Sequence, residues 1–206
     1  MKGNMTEGNP FGLIVRFSIP LLLGNLFQQT YNMVDAAIVG QTLGSDALAA
    51  VGSSSSVQFF VLGFVMGFAV GFSVPVSQRF GAKDYSGMRR FEFTGAVWAA
   101  IIAVIMTVAT CALCGTILHG LQVPEDIFSM SYQYLIIIFA GIPFTVLYNY
   151  LSGILRAIGD SKTPFLFLAT SAVLNIFLDF FCILVLHLGT AGAALATIVS
   201  QAISGI

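Results

Sequence analysis

Charge is sparse in this sequence. Lys, Arg, Asp and Glu together make up 8% of the 206 residues, against roughly 25% in soluble domains. A soluble fold of this length has no interior large enough for 57% hydrophobic residues, whereas a bilayer accommodates them. Cysteine is scarce as well. The three present, Cys111, Cys114 and Cys182, are odd in number and lie inside apolar runs, which argues against both a disulfide framework and a zinc site. Cys111 and Cys114 form a C-x-x-C without a second ligand pair and read as small packing residues. Only two histidines occur, His119 and His187, both at the outer ends of expected helices. No base therefore stands at membrane depth to activate a nucleophile. G-x-S-x-G is also missing; Gly71-Phe72-Ser73-Val74-Pro75 comes nearest and fails. An enzyme is not expected, nor is a cofactor, a structural metal or a nucleic-acid partner.

What the chain does have is long apolar runs. Spanning hydrocarbon takes about 20 residues of helix. Five segments are long enough, at 13–39, 47–75, 93–118, 131–151 and 164–187, and a sixth, 190–206, is expected to be truncated. Short polar connections fall at 40–46, 76–92, 119–130, 152–163 and 188–189, with no linker to divide the chain. The first apolar run is too long for a cleavable signal and is expected to stay as a membrane helix. Pro20 and Pro143 lie inside helices and predict kinks there. Gly63, Gly67 and Gly71 make two G-x-x-x-G steps that predict a closely packed neighbour. Ser53 to Ser56, with Ser54 the cavity candidate, predict either a wet lining or close packing of small residues.

The few charges are sorted by side. Lys2 and Arg16, then Arg79, Lys83, Arg89 and Arg90, then Arg156 and Lys162 fall at one end of the expected helices, and they are all eight basic residues. Asp46, Glu125 and Asp126 fall at the other. The positive-inside rule then puts the N-terminus in the cytoplasm, and cytoplasmic loops rich in Lys and Arg meet membrane lipid.

Two carboxylates break the pattern: Asp35 in the first apolar run and Asp179 in the fifth. A charge at such depth costs at least ~2.5 kcal/mol and is by default a functional residue. Asp35 is 18 residues beyond Phe17, and Asp179 is 15 beyond Pro164, or roughly 27 and 22 Å at 1.5 Å per residue. Both depths lie in the outer half of the membrane, so the two could share a cavity. Tyr31 stands four residues before Asp35 and Asn175 four before Asp179, on the same helix faces. Thr197 offers a hydroxyl at a similar depth. Oxygen groups of this kind suit a proton carrier or a hard cation such as Na⁺, the latter at Asp35, Asn175, Asp179 and Thr197. A weak internal echo is also present: each Asp-bearing helix leads through Leu-Gly into a small-residue helix, LGSDALAAVGSSS after Asp35 and LGTAGAALATIVS after Asp179.

The stretches IPLLLGNLFQQTYNMVDAAIVGQTLGSDALAAVG (19–52), VSQRFGAKDYSGMRR (76–90), LRAIGDSKTP (155–164) and LNIFLDF (174–180) together resemble multidrug and toxic compound extrusion (MATE) transporters of bacterial type. The resemblance covers essentially the whole chain. It implies an all-α integral membrane protein of the bacterial cytoplasmic membrane, with twelve helices in two lobes. This chain matches the N-terminal six-helix lobe, so a C-terminal lobe is expected as its missing partner. The family further implies antiport of cationic, amphipathic drugs against H⁺ or Na⁺. Its cation residues carry over onto Tyr31, Asp35, Asn175, Asp179 and Thr197, and Asn149 matches a polar position in the fourth helix. Gln28, Asn149 and Ser54 are the candidate substrate-cavity residues. The alternative within the superfamily is a flippase for lipid-linked oligosaccharide or peptidoglycan precursor, which should need basic residues inside the membrane.

Overall fold

The structure, a computed structural model, describes residues 9–205, and among these there is no strand. Seven helices follow in order: α1 Pro10–Leu43, α2 Ser45–Gly81, α3 Tyr85–Gly120, α4 Glu125–Ala140, α5 Ile142–Ala157, α6 Lys162–Phe180 and α7 Gly189–Gly205. Four are long and apolar enough to cross a membrane, and α4 with α5 makes a fifth span if the bent pair counts as one. The 17-residue α7 follows as the last leg.

The helices overrun the apolar segments that announce them. The expected connection 76–92 is helical except around residues 82–84, and the expected connection 152–163 gives way to α5 as far as Ala157. Hydropathy marks only the part of a helix in hydrocarbon, while i to i−4 hydrogen bonding continues into the polar interface. Asp84 fixes one such turn. Its carboxylate accepts from the Gly87 N–H at 2.9 Å and caps α3, and Arg79 bridges to it at 3.0 Å. The Gly87 N–H, then the Ser86 hydroxyl, hold the exposed Asp84 carboxyl below the ordinary carboxylate range.

The expected fourth span is two helices bent by 47°. Pro143 sits in the first turn of α5, where its missing N–H is tolerated. Gly141 supplies the joint. A Cβ there would overlap Ile198 Cδ1 and Cγ1, so α7 closes on the bend only because that position is bare. Gly44, at φ 91°, is the single residue between α1 and α2, a left-handed conformation that glycine adopts freely. Gly189, its counterpart in the internal echo, also has positive φ, at 58°. Between α6 and α7, the expected helix 164–187 changes character: Phe181–Val185 form a π-turn directly after Asp179. Such turns gather at functional sites.

Packing joins α2 to α3, α4 and α5, and α6 to α1 and α7. The buried core includes Phe139, Leu118, Leu135 and Ile142. Outward faces stay apolar, with Phe59 82% and Phe60 77% exposed. In water such surface would be an aggregation hazard, whereas lipid covers it at no cost. The close-packing expectation for Gly63, Gly67 and Gly71 is not met among the described residues: beyond their own helix backbone, no atom lies within 4 Å of a Cβ built on any of them. They face outward as an open groove flanked by Phe64, Phe68 and Phe72. The described basic residues fall at one end of the helices, as the alternation of their positions along the chain requires, while Lys2 lies outside the described residues.

Candidate functional site

Four helices converge on two carboxylates, the buried Asp179 and the half-buried Asp35. α1 presents Tyr31 and Asp35 from one face, α6 presents Asn175 and Asp179, α7 presents Thr197, and α4 adds Tyr134. Asp35 and Asp179 face each other as neighbouring carboxyls. Asn175 and Asp179 are fully buried.

The polar partners are specific. With the amide oriented by its neighbours, Asn175 donates to Asp179 Oδ2 at 2.9 Å and accepts from the Thr197 backbone N–H at 3.1 Å. The Thr197 hydroxyl donates to the Ala193 carbonyl at 3.1 Å and lies within reach of the Tyr31 hydroxyl. Tyr134 donates to Gln58 Oε1 of α2 at 3.5 Å, which holds its ring beside the pair.

Two atoms are left over. Asp35 Oδ1 and Asp179 Oδ1 are buried and make no hydrogen bond among the described residues. A buried carboxylate without a partner is costly and is stabilised only by taking up positive charge. The donor set at hand, carboxylate and amide oxygens with the Thr197 hydroxyl, fits a proton or Na⁺ and lacks the soft ligands of a transition-metal site. No group of three or more His, Cys, Asp or Glu is placed to hold a metal ion among the described residues.

The cavity candidates divide. Gln28 and Asn149 line one cavity of ≈ 160 Å³ between α1, α5 and α6, together with Asn25, Tyr148, Ser152 and Arg156. Asn149 also donates to the Thr145 carbonyl at 2.8 Å. Ser54 is placed elsewhere. It is fully buried and donates to the Ala50 carbonyl of its own helix at 2.8 Å, while Ser53 meets Ser131 of α4 at 3.3 Å. This part of the serine run packs helices rather than lining the cavity.

Two features escaped the sequence. Tyr134 reads there as one more aromatic in an apolar run. It lies nine residues inside α4, and Asp35 lies eight inside the end of α1, or about 14 and 12 Å from the same side of the bundle; matching depths would have found it. Arg156 was assigned to a connection, and the extra length of α5 instead sets it in the cavity wall.

Comparison with known proteins agrees with this architecture. The family model MatE matches residues 20–181. The probable multidrug resistance protein YpnP of Bacillus subtilis is 37% identical over 98% of this chain and 45% of its own length. The multidrug export protein MepA of Staphylococcus aureus is 27% identical over 93% of this chain and 42% of its own. A crystal structure of a MATE protein in the bent conformation superposes with a TM-score of 0.90 at 30% identity, covering 97% of this chain and 44% of the other. The outward-facing structure of a multidrug resistance MATE transporter of the MOP superfamily gives 0.91 at 29%, covering 98% and 44%. The chain thus spans a little under half the length of these relatives. Its apolar helices, buried carboxylate pair and matched family model lead to one assignment: the chain belongs to the MatE family of membrane transporters and is not an enzyme.

Proposed function

We propose that this chain forms the N-terminal lobe of a secondary-active multidrug exporter and that Asp35 and Asp179 are its coupling switch. The observation that carries the reading is the facing pair of buried carboxyls, each with one unpartnered oxygen. When H⁺ or Na⁺ binds, the pair loses negative charge. A cationic, amphipathic drug then loses its electrostatic partner and leaves outward. Coupling requires the inward-open and outward-open states to differ in affinity for the cation, and alternating access requires a second lobe to move against this one. Asn175 orients Asp179, Tyr31 and Thr197 hold the rim, and Na⁺, where it is the ion, draws on Asp35, Asp179, Asn175 and Thr197. One-sided basic residues support a cytoplasmic N-terminus in a bacterial cytoplasmic membrane. The flippase alternative is less favoured, because an anionic pyrophosphate would be repelled by the carboxylate pair.

The test uses the full-length transporter that carries this chain, in proteoliposomes with imposed Na⁺ or pH gradients. Asp35→Asn and Asp179→Asn should each abolish ion-driven efflux of a cationic dye while the protein remains folded. Full gradient-driven efflux with both aspartates neutralised would sink the reading.

A further inference from the structure

The cavity that holds Gln28 and Asn149 carries the opposite charge to the carboxylate site. Arg156 is the one charged side chain in its wall, and no Asp or Glu lines it. The guanidinium is half-buried. Among the described residues it makes a single hydrogen bond, from Nε to the Ser152 carbonyl at 3.1 Å. Its two terminal nitrogens therefore keep their N–H donors free for a ligand. The neighbouring Asp160 is turned to other work: its carboxylate accepts from the Lys162 and Thr163 N–H groups and the Thr163 hydroxyl at the start of α6.

The rest of the wall is mixed. Asn25 and Gln28 of α1 bring amides, while Leu21, Phe165 and Leu168 bring apolar surface. Arg156 is in the last turn of α5 and Lys162 begins α6, so the cavity lies toward the end of the bundle where the basic residues gather. The clustering of basic residues puts that end near the membrane surface by the positive-inside rule. A planar guanidinium fork matches phosphate oxygens two at a time, and an apolar wall beside it suits the glycerol and upper acyl chain of a lipid.

We propose that this cavity binds the phosphate of an anionic membrane lipid, with Arg156 as its charge and the Asn25 and Gln28 amides as donors on the opposite wall. The site stands independently of coupling at Asp35 and Asp179.

Native mass spectrometry of the full chain released from detergent tests this, with phosphatidylglycerol, phosphatidylcholine of the same acyl chains, and inorganic phosphate as probes. One phosphatidylglycerol should be retained in preference to phosphatidylcholine. Arg156→Gln should weaken that retention about tenfold, as expected for losing a hydrogen-bonded charge, and Arg156→Lys should restore only part of it, since it keeps the charge without the fork. Arg16→Gln, which removes an exposed basic residue outside the cavity, should leave it unchanged. If Arg156→Gln does not fold, the pair Asn25→Leu and Gln28→Leu tests the opposite wall and should also weaken retention. Equal retention of the two lipids, undiminished retention by the folded cavity variants, or an equal loss in Arg16→Gln overturns the site. Tight binding of inorganic phosphate with no lipid preference overturns the lipid assignment and makes a soluble anion the ligand.

Discussion

Replacing Asp179 with Asn is the sharpest perturbation of the carboxylate pair, because it removes one charge and keeps the shape. Asp35 and Asp179 are neighbours across the site, so a cation bound between them interacts with both. At a separation of ~4 Å and an effective dielectric of ~20, each carboxylate contributes about 4 kcal/mol of attraction. Losing one should weaken cation binding about a thousandfold, at roughly 1.4 kcal/mol per decade. The assay is ²²Na⁺ binding to the purified full-length transporter, paired with proton release on drug addition, since either ion can be the partner. Asp35→Asn alone should have a comparable effect. The double variant should abolish detectable binding, because the second carboxylate contributes its own attraction of similar size. Binding of both ions within about twofold of the parent in a folded Asp179→Asn protein would refute the reasoning, since the estimate allows no such tolerance.

Gly141→Ala should lower thermal stability by about 1–3 kcal/mol through overpacking, and adding Ile198→Ala should recover part of the loss, because the clash is with that side chain; thermal unfolding in detergent measures both, and an unchanged midpoint for Gly141→Ala counts against the account. Asp84→Ala should fray the first turn of α3, seen as faster hydrogen exchange at residues 85–88. Because the folded state depresses the Asp84 carboxyl, its contribution to stability is present above the ordinary Asp range and fades as pH falls through the depressed value; exchange that is already fast in the parent at neutral pH would reject this. In a variant lacking Cys111, Cys114 and Cys182, Asp126→Cys should label from outside intact cells and Lys83→Cys should not, and the reverse pattern rejects the proposed orientation.

The legible part of this protein is the part where chemistry contradicts its surroundings. Asp35 and Asp179 stand out because ionisable groups are rare in apolar runs, and depth counted along each helix brings them to one level before any packing is known. Asn175 and Tyr31 follow from four-residue spacing. Tyr134 does not stand out by composition, because an aromatic that supports a buried polar site and one that faces lipid are identical there; only its depth, counted from the start of α4, matches that of Asp35. Arg156 was obscured for a different reason. Hydropathy fades near Leu151 while the helix runs to Ala157, so a wall residue reads as a loop residue. The glycines of α2 mark the converse limit: their spacing identifies a face on which helices can approach, but not whether one does.

The π-turn after Asp179 ends the span that α6 begins, and three non-helical residues then lead into α7. The Leu186 N–H reaches back to the Phe181 carbonyl at 3.0 Å, a five-residue step. Each residue of an ordinary helix advances about 100° around its axis. The wider turn therefore sets the angle at which the chain leaves the span, and with it where Leu186 to Leu188 hand over to α7, relative to Asn175 and Asp179. Removing a single residue within 181–185 would turn the start of that connection by roughly a quarter of a revolution and leave Asp179 where it is.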